Sequence, residues 1–352
     1  VGFEGAFMKS SHLWKYIAGA GVALATAYTG FATFYSVQVI QFQSQTLEEV
    51  KPKVRFKSPQ EAGLPDPELV SLERPGQVVL KGWLFRQPQA TSKCGVVLQH
   101  GHRTHRLSML RYAPIFWKRG CHVLTVDARR HGDSPAEFAT WGFHEKYDIL
   151  EFASLFSKAV DIPQNKIALY GESLGGAIAL QAASLEESQF AFVVTDSAFH
   201  DLPTILKERA AQLYTQGILA FAPLAFRIAG WRAGFSVEND VAPSRAAQKI
   251  KVPVLLIHSL ADEFTKSYHS EEIFRNLSQK EKQLNLTDWG AQHSRSVDTR
   301  PEEYEEIVSQ FVETHLPAFW GTAQLSCSPS ADKETTSKAQ VDDKNCSLAQ
   351  QK

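Results

Sequence analysis

Cysteine is scarce in this chain: four residues in 352, Cys94, Cys121, Cys327 and Cys346, at irregular spacing. That excludes a small disulfide-built scaffold, and the lack of any C-x-x-C pair removes the common structural zinc patterns. Net charge is nearly absent too. Thirty-seven Lys and Arg balance 38 Asp and Glu, leaving a formal charge of −1, which argues against a nucleic-acid surface or partner. No internal repeat is evident, so solenoids and propellers are not indicated. What remains is a chain long enough for one large or two small α/β domains with a substantial core.

One long stretch has no charge at all: residues 16–40, YIAGAGVALATAYTGFATFYSVQVI. At the helical rise it is long enough to cross a bilayer. A cleaved signal competes, because Ala25-Thr26-Ala27 fits a small-residue cleavage site. Apolar sequence nevertheless continues through Phe31, Phe34, Tyr35, Val37 and Ile40, which favours an uncleaved single-pass anchor; a packed core helix is the third reading. Lys9 and Lys15 on one flank compete with Lys51, Lys53, Arg55 and Lys57 on the other, which leaves orientation poorly specified by charge; an extracytoplasmic domain is weakly favoured. After Trp320 the composition turns to Ser, Thr, Lys, Asp and Gln, too polar to offset its ordering entropy. The expected organisation is a flank (1–15), an anchor or signal (16–40), a linker (41–66), a globular domain (67–320) and a disordered tail (321–352).

Within the domain, runs 68–73 and 77–85 flank Arg74-Pro75-Gly76, a hairpin signal. Six short apolar runs follow, at 95–99, 122–126, 167–170, 192–195, 254–257 and 283–286, mostly separated by helical stretches such as 107–118, 147–158 and 174–184. That alternation predicts an α/β fold: a mostly parallel eight-stranded sheet with helices on both faces. Residues 202–241, whose inner part is apolar and includes Pro223, are expected to form a helical cap over the site; a membrane-surface element and ordinary core are the competing readings. Cys94 and Cys121 open two neighbouring parallel strands, where disulfide geometry fits poorly, so two buried free thiols are expected.

Gly171-Glu172-Ser173-Leu174-Gly175 stands between an apolar strand run and a small-residue helix. A serine on so sharp a turn needs neighbours without side chains, and the flanking glycines supply that. Its hydroxyl is a weak nucleophile at neutral pH and requires a base plus a group that orients the base. Asp262, after the 254–257 strand, and His293, after the last strand, supply both in the expected order. Asp262 otherwise reads as a cap of the helix near 267–277, with Glu263 as substitute acid, and His293 as a surface loop histidine. Two backbone amides must hold the oxyanion: Leu174, and His102 in the loop His100-Gly101-His102-Arg103, with Arg103 as alternative. His100, His102 and His105 lie in one loop with no Cys or carboxylate beside them, so no metal site is expected.

The pieces LKGWLF, LQHGHR, VDARRHGDSP, WGFHEKYDI, YGESLGGA, TDSAF, VPVLLIHSLADEFT and GAQHS resemble the α/β-hydrolase superfamily in its esterase and lipase-like branch. The resemblance covers roughly 78–316. It implies the α/β-hydrolase fold, a triad of Ser173, Asp262 and His293, and no cofactor. Relatives usually carry Gly or Asn where Arg130 stands and often Pro at the place of Lys266. The expectation is hydrolysis of a carboxylic ester, of a small-molecule or lipid-like acyl substrate. A peptidase or acyltransferase of the same superfamily and a non-catalytic binding protein on this fold are the alternatives.

Overall fold

The structure is a computed structural model that describes residues 10–88 and 92–320. The tail expected to be disordered, 321–352, and the first nine residues lie outside the described residues.

Eight strands form one sheet: β1 (Glu68–Arg74), β2 (Val78–Phe85), β3 (Gly95–Gln99), β4 (His122–Val126), β5 (Ile167–Glu172), β6 (Val193–Asp196), β7 (Val254–Ser259) and β8 (Lys282–Thr287). Their order is β1-β2-β4-β3-β5-β6-β7-β8. β2 pairs antiparallel with β1 and β4, and every later pairing is parallel, so the sheet is mixed with a parallel majority. The central strands β3 to β7 are buried along their full length, which explains why they read as continuous apolar runs rather than alternating ones. Two apolar clusters sandwich the sheet. One joins Phe152, Ile178 and Val254 to the cap; the other joins Tyr112, Phe116 and Tyr304 on the opposite face.

Two local expectations change, and a third gains detail. The helix expected over 107–118 is a 3-10 turn, Arg106–Arg111, followed by a short helix, Ala113–Trp117; Pro114, with no amide to give, fits only the start of the second piece. Residues 41–66, expected as a linker, pack on the domain through buried Phe42, Val50, Ala62 and Leu64. Within residues 202–241, expected to be helical, the chain forms three pieces, Leu202–Leu213, Gln216–Phe221 and Ala222–Ala233.

The free thiols expected at Cys94 and Cys121 are instead a disulfide, with the two Cα atoms 4.7 Å apart. Each cysteine precedes the first paired residues of β3 and β4, Gly95 and His122. The objection to bridging parallel strands applies to their interior, where side chains stay aligned; at a strand mouth the backbone can turn the two Cβ atoms together at ordinary strand spacing. The bridge closes a loop with a sequence separation of 27. Reduction should lower unfolding free energy by about 3 kcal/mol, seen as a lower denaturant midpoint with reductant. An unchanged midpoint, or all four thiols of the chain titrating in unfolded unreduced protein, would return the two cysteines to the free state.

The apolar N-terminal segment is one helix, Ser10–Ile40. Residues 14–31 are exposed throughout, whereas Ala32, Tyr35, Ser36, Val39 and Ile40 are buried against the cap. Side chains three and four apart share a helix face, so the buried set forms one stripe, packed on Ala222–Ala233. Tyr35 donates to the Leu206 carbonyl at 3.0 Å and Trp141 to the Val39 carbonyl at 2.8 Å. The helix end is tied down by Arg130, whose guanidinium donates to the carbonyls of Gln41 (2.9 Å), Phe42 (3.0 Å) and Glu137 (3.0 Å). Arg130 has φ of 60°, the left-handed backbone that Gly or Asn adopts with less strain. The bonds to the helix terminus offset that strain.

Candidate active site

β5 ends at Glu172, and the chain turns at Ser173 directly into the helix Leu174–Ala183. Ser173 has φ of 52° and ψ of −115°, a strained backbone for a residue with a side chain. Both flanking glycines are required by space. A Cβ on Gly171 would lie 2.2 Å from the Gly175 carbonyl oxygen, and one on Gly175 would lie 2.0 Å from that of Gln99. The turn is anchored by the Ser173 N–H, which donates to the Asp196 carbonyl on β6 at 2.7 Å.

The structure brings the three distant residues together. His293 Nε2 lies 2.9 Å from Ser173 Oγ, and His293 Nδ1 lies 2.7 Å from Asp262 Oδ2. The Asp262 side chain is fully buried and its other oxygen, Oδ1, accepts the amides of Phe264 and Thr265, each at 2.9 Å. Asp262 therefore caps its own loop and not the helix that follows. That helix, expected near 267–277, runs Tyr268–Asn276 and takes no side-chain cap. Burial works to raise the Asp262 carboxyl, but hydrogen bonds from His258 and His293 outweigh it and hold the group well below the usual carboxylate range. Phe264 stacks on the His293 ring at 4.6 Å, restricting the imidazole from its other face.

The loop after β3 runs beside the serine: a Cβ on Gly101 would lie 3.4 Å from Ser173 Cβ. The amides of His102 and Leu174 donate to no backbone carbonyl among the described residues outside regular elements. The His102 ring is stacked on Trp141 at 4.7 Å and edge-on to Phe42 at 4.1 Å, so the segment following the N-terminal helix helps fix this loop. Burial, then nearby His131 and Arg103, push the His102 imidazole well below its ordinary value, which keeps it neutral. His105, Asp127 and Asp133 form a group of metal-type ligands. Arg106 already sits among them, bonded to both carboxylates, and supplies the positive charge.

Two cavities meet at Ser173. One, of about 280 Å³, is mostly apolar and is walled by Tyr35 and Val39 of the N-terminal helix, Leu206 and Leu213 of the cap, Trp141 and Phe199. The other, of about 540 Å³, is polar and carries Arg103, Arg111 and His293. Several supporting residues escaped sequence reasoning. Asp196 accepts the phenols of Tyr112 (3.1 Å) and Tyr304 (2.9 Å) beneath the turn, Arg111 pairs with Glu172, and His258 lies 3.4 Å from Asp262. Their signal was present: Glu172, Asp196 and His258 are polar residues at the C-terminal ends of otherwise apolar strands.

Residues 108–317 match the prolyl oligopeptidase family. The chain is 28% identical over 219 residues to the uncharacterized protein YqkD of Bacillus subtilis, covering 62% of this chain and 70% of that one. It is 22% identical over 262 residues to the alpha/beta hydrolase domain-containing protein WAV2 of Arabidopsis thaliana, covering 71% and 80%. The Pyrococcus furiosus esterase Pf2001 superposes with a TM-score of 0.58 at 21% identity, over 74% of this chain and 97% of that one, a likeness of fold. With the family match spanning more than half its length, an eight-stranded sheet and a strand-turn-helix serine, this chain belongs to the prolyl oligopeptidase family and is an enzyme of the α/β-hydrolase type.

Proposed function

We propose that the chain hydrolyses carboxylic esters through an acyl-serine intermediate. The observation that carries this reading is the continuous relay from Asp262 through His293 to Ser173, with 2.7 Å and 2.9 Å between successive atoms, within reach for proton transfer. His293 Nε2 takes the hydroxyl proton as Ser173 Oγ bonds to the ester carbonyl carbon. The His102 and Leu174 amides hold the oxyanion. The C–O bond to the alcohol then breaks, and the departing oxygen receives that proton from Nε2. Water repeats the sequence on the acyl-enzyme, releasing the acid and restoring Ser173.

The apolar cavity suits an acyl chain, and the N-terminal helix favours a lipid-derived one. Its exposed residues 14–31 extend about 27 Å as a helix, close to a bilayer's hydrocarbon thickness. At the end of this stretch nearest the domain, Tyr28 and Phe31 pack on Phe221 of the cap at 5.0 and 5.4 Å, an aromatic cluster of the kind found at membrane interfaces. On this reading the helix is a single-pass anchor and the cavity opens next to the lipid surface. The Cys94–Cys121 bridge supports an oxidising, extracytoplasmic side for the domain.

A fluorophosphonate probe should label the full chain and fail to label Ser173→Ala. Nitrophenyl esters from acetate to laurate should be turned over at least about 100-fold faster than aminoacyl anilides. Faster anilide cleavage would make the enzyme a peptidase, and absence of labelling of folded protein would remove the serine mechanism.

A further inference from the structure

We infer that the polar cavity beside Ser173 is a binding site for the alcohol half of the substrate, and that this alcohol carries a phosphate group. The inference rests on the ester-hydrolase reading for the word alcohol, but the anion site stands on its own observations.

The direction follows from proton transfer. The leaving oxygen must take its proton from His293 Nε2, so it departs on the side that His293 faces. His293 lines the polar cavity and is not among the residues lining the apolar one. The acyl chain and the alcohol are thereby assigned to different cavities.

The charge follows from the lining. Lys53, Arg103, Arg111 and Arg295 face this space, with Glu172 as the one carboxylate lining it among the described residues. Asp298 lies behind, 3.0 Å from both Arg111 and Arg295. Arg111 and Arg295 are balanced by Glu172 and Asp298, whereas Lys53 and Arg103 have no carboxylate within ion-pair distance among the described residues. The site holds a surplus of two positive charges, which matches a phosphate monoester better than a neutral alcohol.

The site is also built, and not only charged. Ser108 and Arg111, 4% and 7% exposed, line the cavity. Ser108 Oγ and Arg111 Nε are buried polar atoms without a hydrogen-bond partner. Buried donors left unpaired are costly; both atoms are closed to solvent as the side chains now stand, so a phosphate oxygen in this cavity would reach them only as Ser108 and Arg111 turn toward it. A guanidinium and a hydroxyl held at the wall, with Lys53 and Arg103 at the exposed side, form a cradle for a dianion.

The test uses the full chain in detergent micelles. Calorimetry with the Ser173→Ala protein should show binding of glycerol 3-phosphate and none of glycerol. Lys53→Gln together with Arg103→Gln should weaken that binding by at least about tenfold, and Arg103→Lys should retain most of it. With unmodified Ser173, the butyryl ester of glycerol 3-phosphate should be hydrolysed with higher kcat/KM than the butyryl ester of glycerol. That ratio should fall by at least about tenfold in the double variant. Comparing the butyryl ester in solution with an oleoyl ester of glycerol 3-phosphate in phosphatidylcholine vesicles separates a soluble source from a lipid one. Equal binding of glycerol and glycerol 3-phosphate, or a ratio that the double variant does not change, overturns the inference. Phosphate binding without turnover of either ester upholds the anion site and overturns the ester-hydrolase reading.

Discussion

Asp262→Asn should lower kcat by about four orders of magnitude while leaving the fold intact. The reason lies in the two roles of this carboxylate. Its Oδ1 accepts the amides of Phe264 and Thr265, each at 2.9 Å, so in asparagine the carbonyl oxygen must stay on that side. The amide NH₂ is then turned toward His293 Nδ1, where Asp262 Oδ2 now lies at 2.7 Å. A donor at that position requires Nδ1 to be unprotonated and places the ring proton on Nε2, 2.9 Å from Ser173 Oγ. In that tautomer the imidazole offers the serine a proton instead of accepting one. Steady-state hydrolysis of nitrophenyl butyrate measures the loss directly, and a matching fall in fluorophosphonate labelling rate would place it in serine activation. A decrease below about tenfold would mean that Asp262 does not orient the base.

The second large effect is on stability in mild acid. Burial holds the His100 imidazole down to about 3, and the His122 and His269 imidazoles are lowered to about 4, burial being the first cause in each. His102 and His131 are lowered well below the ordinary value, again by burial first. Each of these groups binds a proton in the unfolded chain near pH 6.5 and resists it when folded. The unfolded state therefore binds more protons between the two values, so stability is full above about pH 6.5 and declines as pH falls. His100 alone removes about 1.4 kcal/mol for each pH unit in that window, roughly 2 kcal/mol at pH 5. The other four histidines act in the same direction. Asp127 and Asp196, raised by burial, act in the opposite one. Asp201, lowered to about 2 with burial opposed by its bonds to His200 and Thr204, begins to matter only below the ordinary carboxylate range. Thermal melts at pH 7.5 and pH 5 should differ by at least about 5 °C, and Tm independent of pH across this interval would show that the histidine cluster is hydrated or charged when folded.

The parts of this protein legible in the sequence are those where local pattern and packing agree. The buried strands from β3 to β7 carry their apolar runs openly, and Ser173, Asp262 and His293 lie just beyond strand ends, where loops converge on one edge of the sheet. Other features were hidden for identifiable reasons. Hydropathy does not separate burial in lipid from burial in protein, so the point at Ala32, where the N-terminal helix begins to bury side chains in the domain, left no mark. The bridge between Cys94 and Cys121 depends on backbone direction at strand mouths. Arg130 looked like a misfit because its compensation, the carbonyls of Gln41 and Phe42, comes from almost ninety residues earlier. The polar cavity gathers Lys53, Arg103 with Ser108, and Arg295 from three separate segments, and only the folded chain sets them around one space.

Trapping the covalent intermediate addresses the mechanism most directly. Full-length protein mixed with excess nitrophenyl butyrate, quenched in acid within the first turnover and digested for mass spectrometry should carry one butyryl group on the peptide containing Ser173. The same treatment of Ser173→Ala should leave that peptide unmodified and the ester intact. A butyryl group on a different residue, or undiminished hydrolysis by Ser173→Ala, would contradict the account.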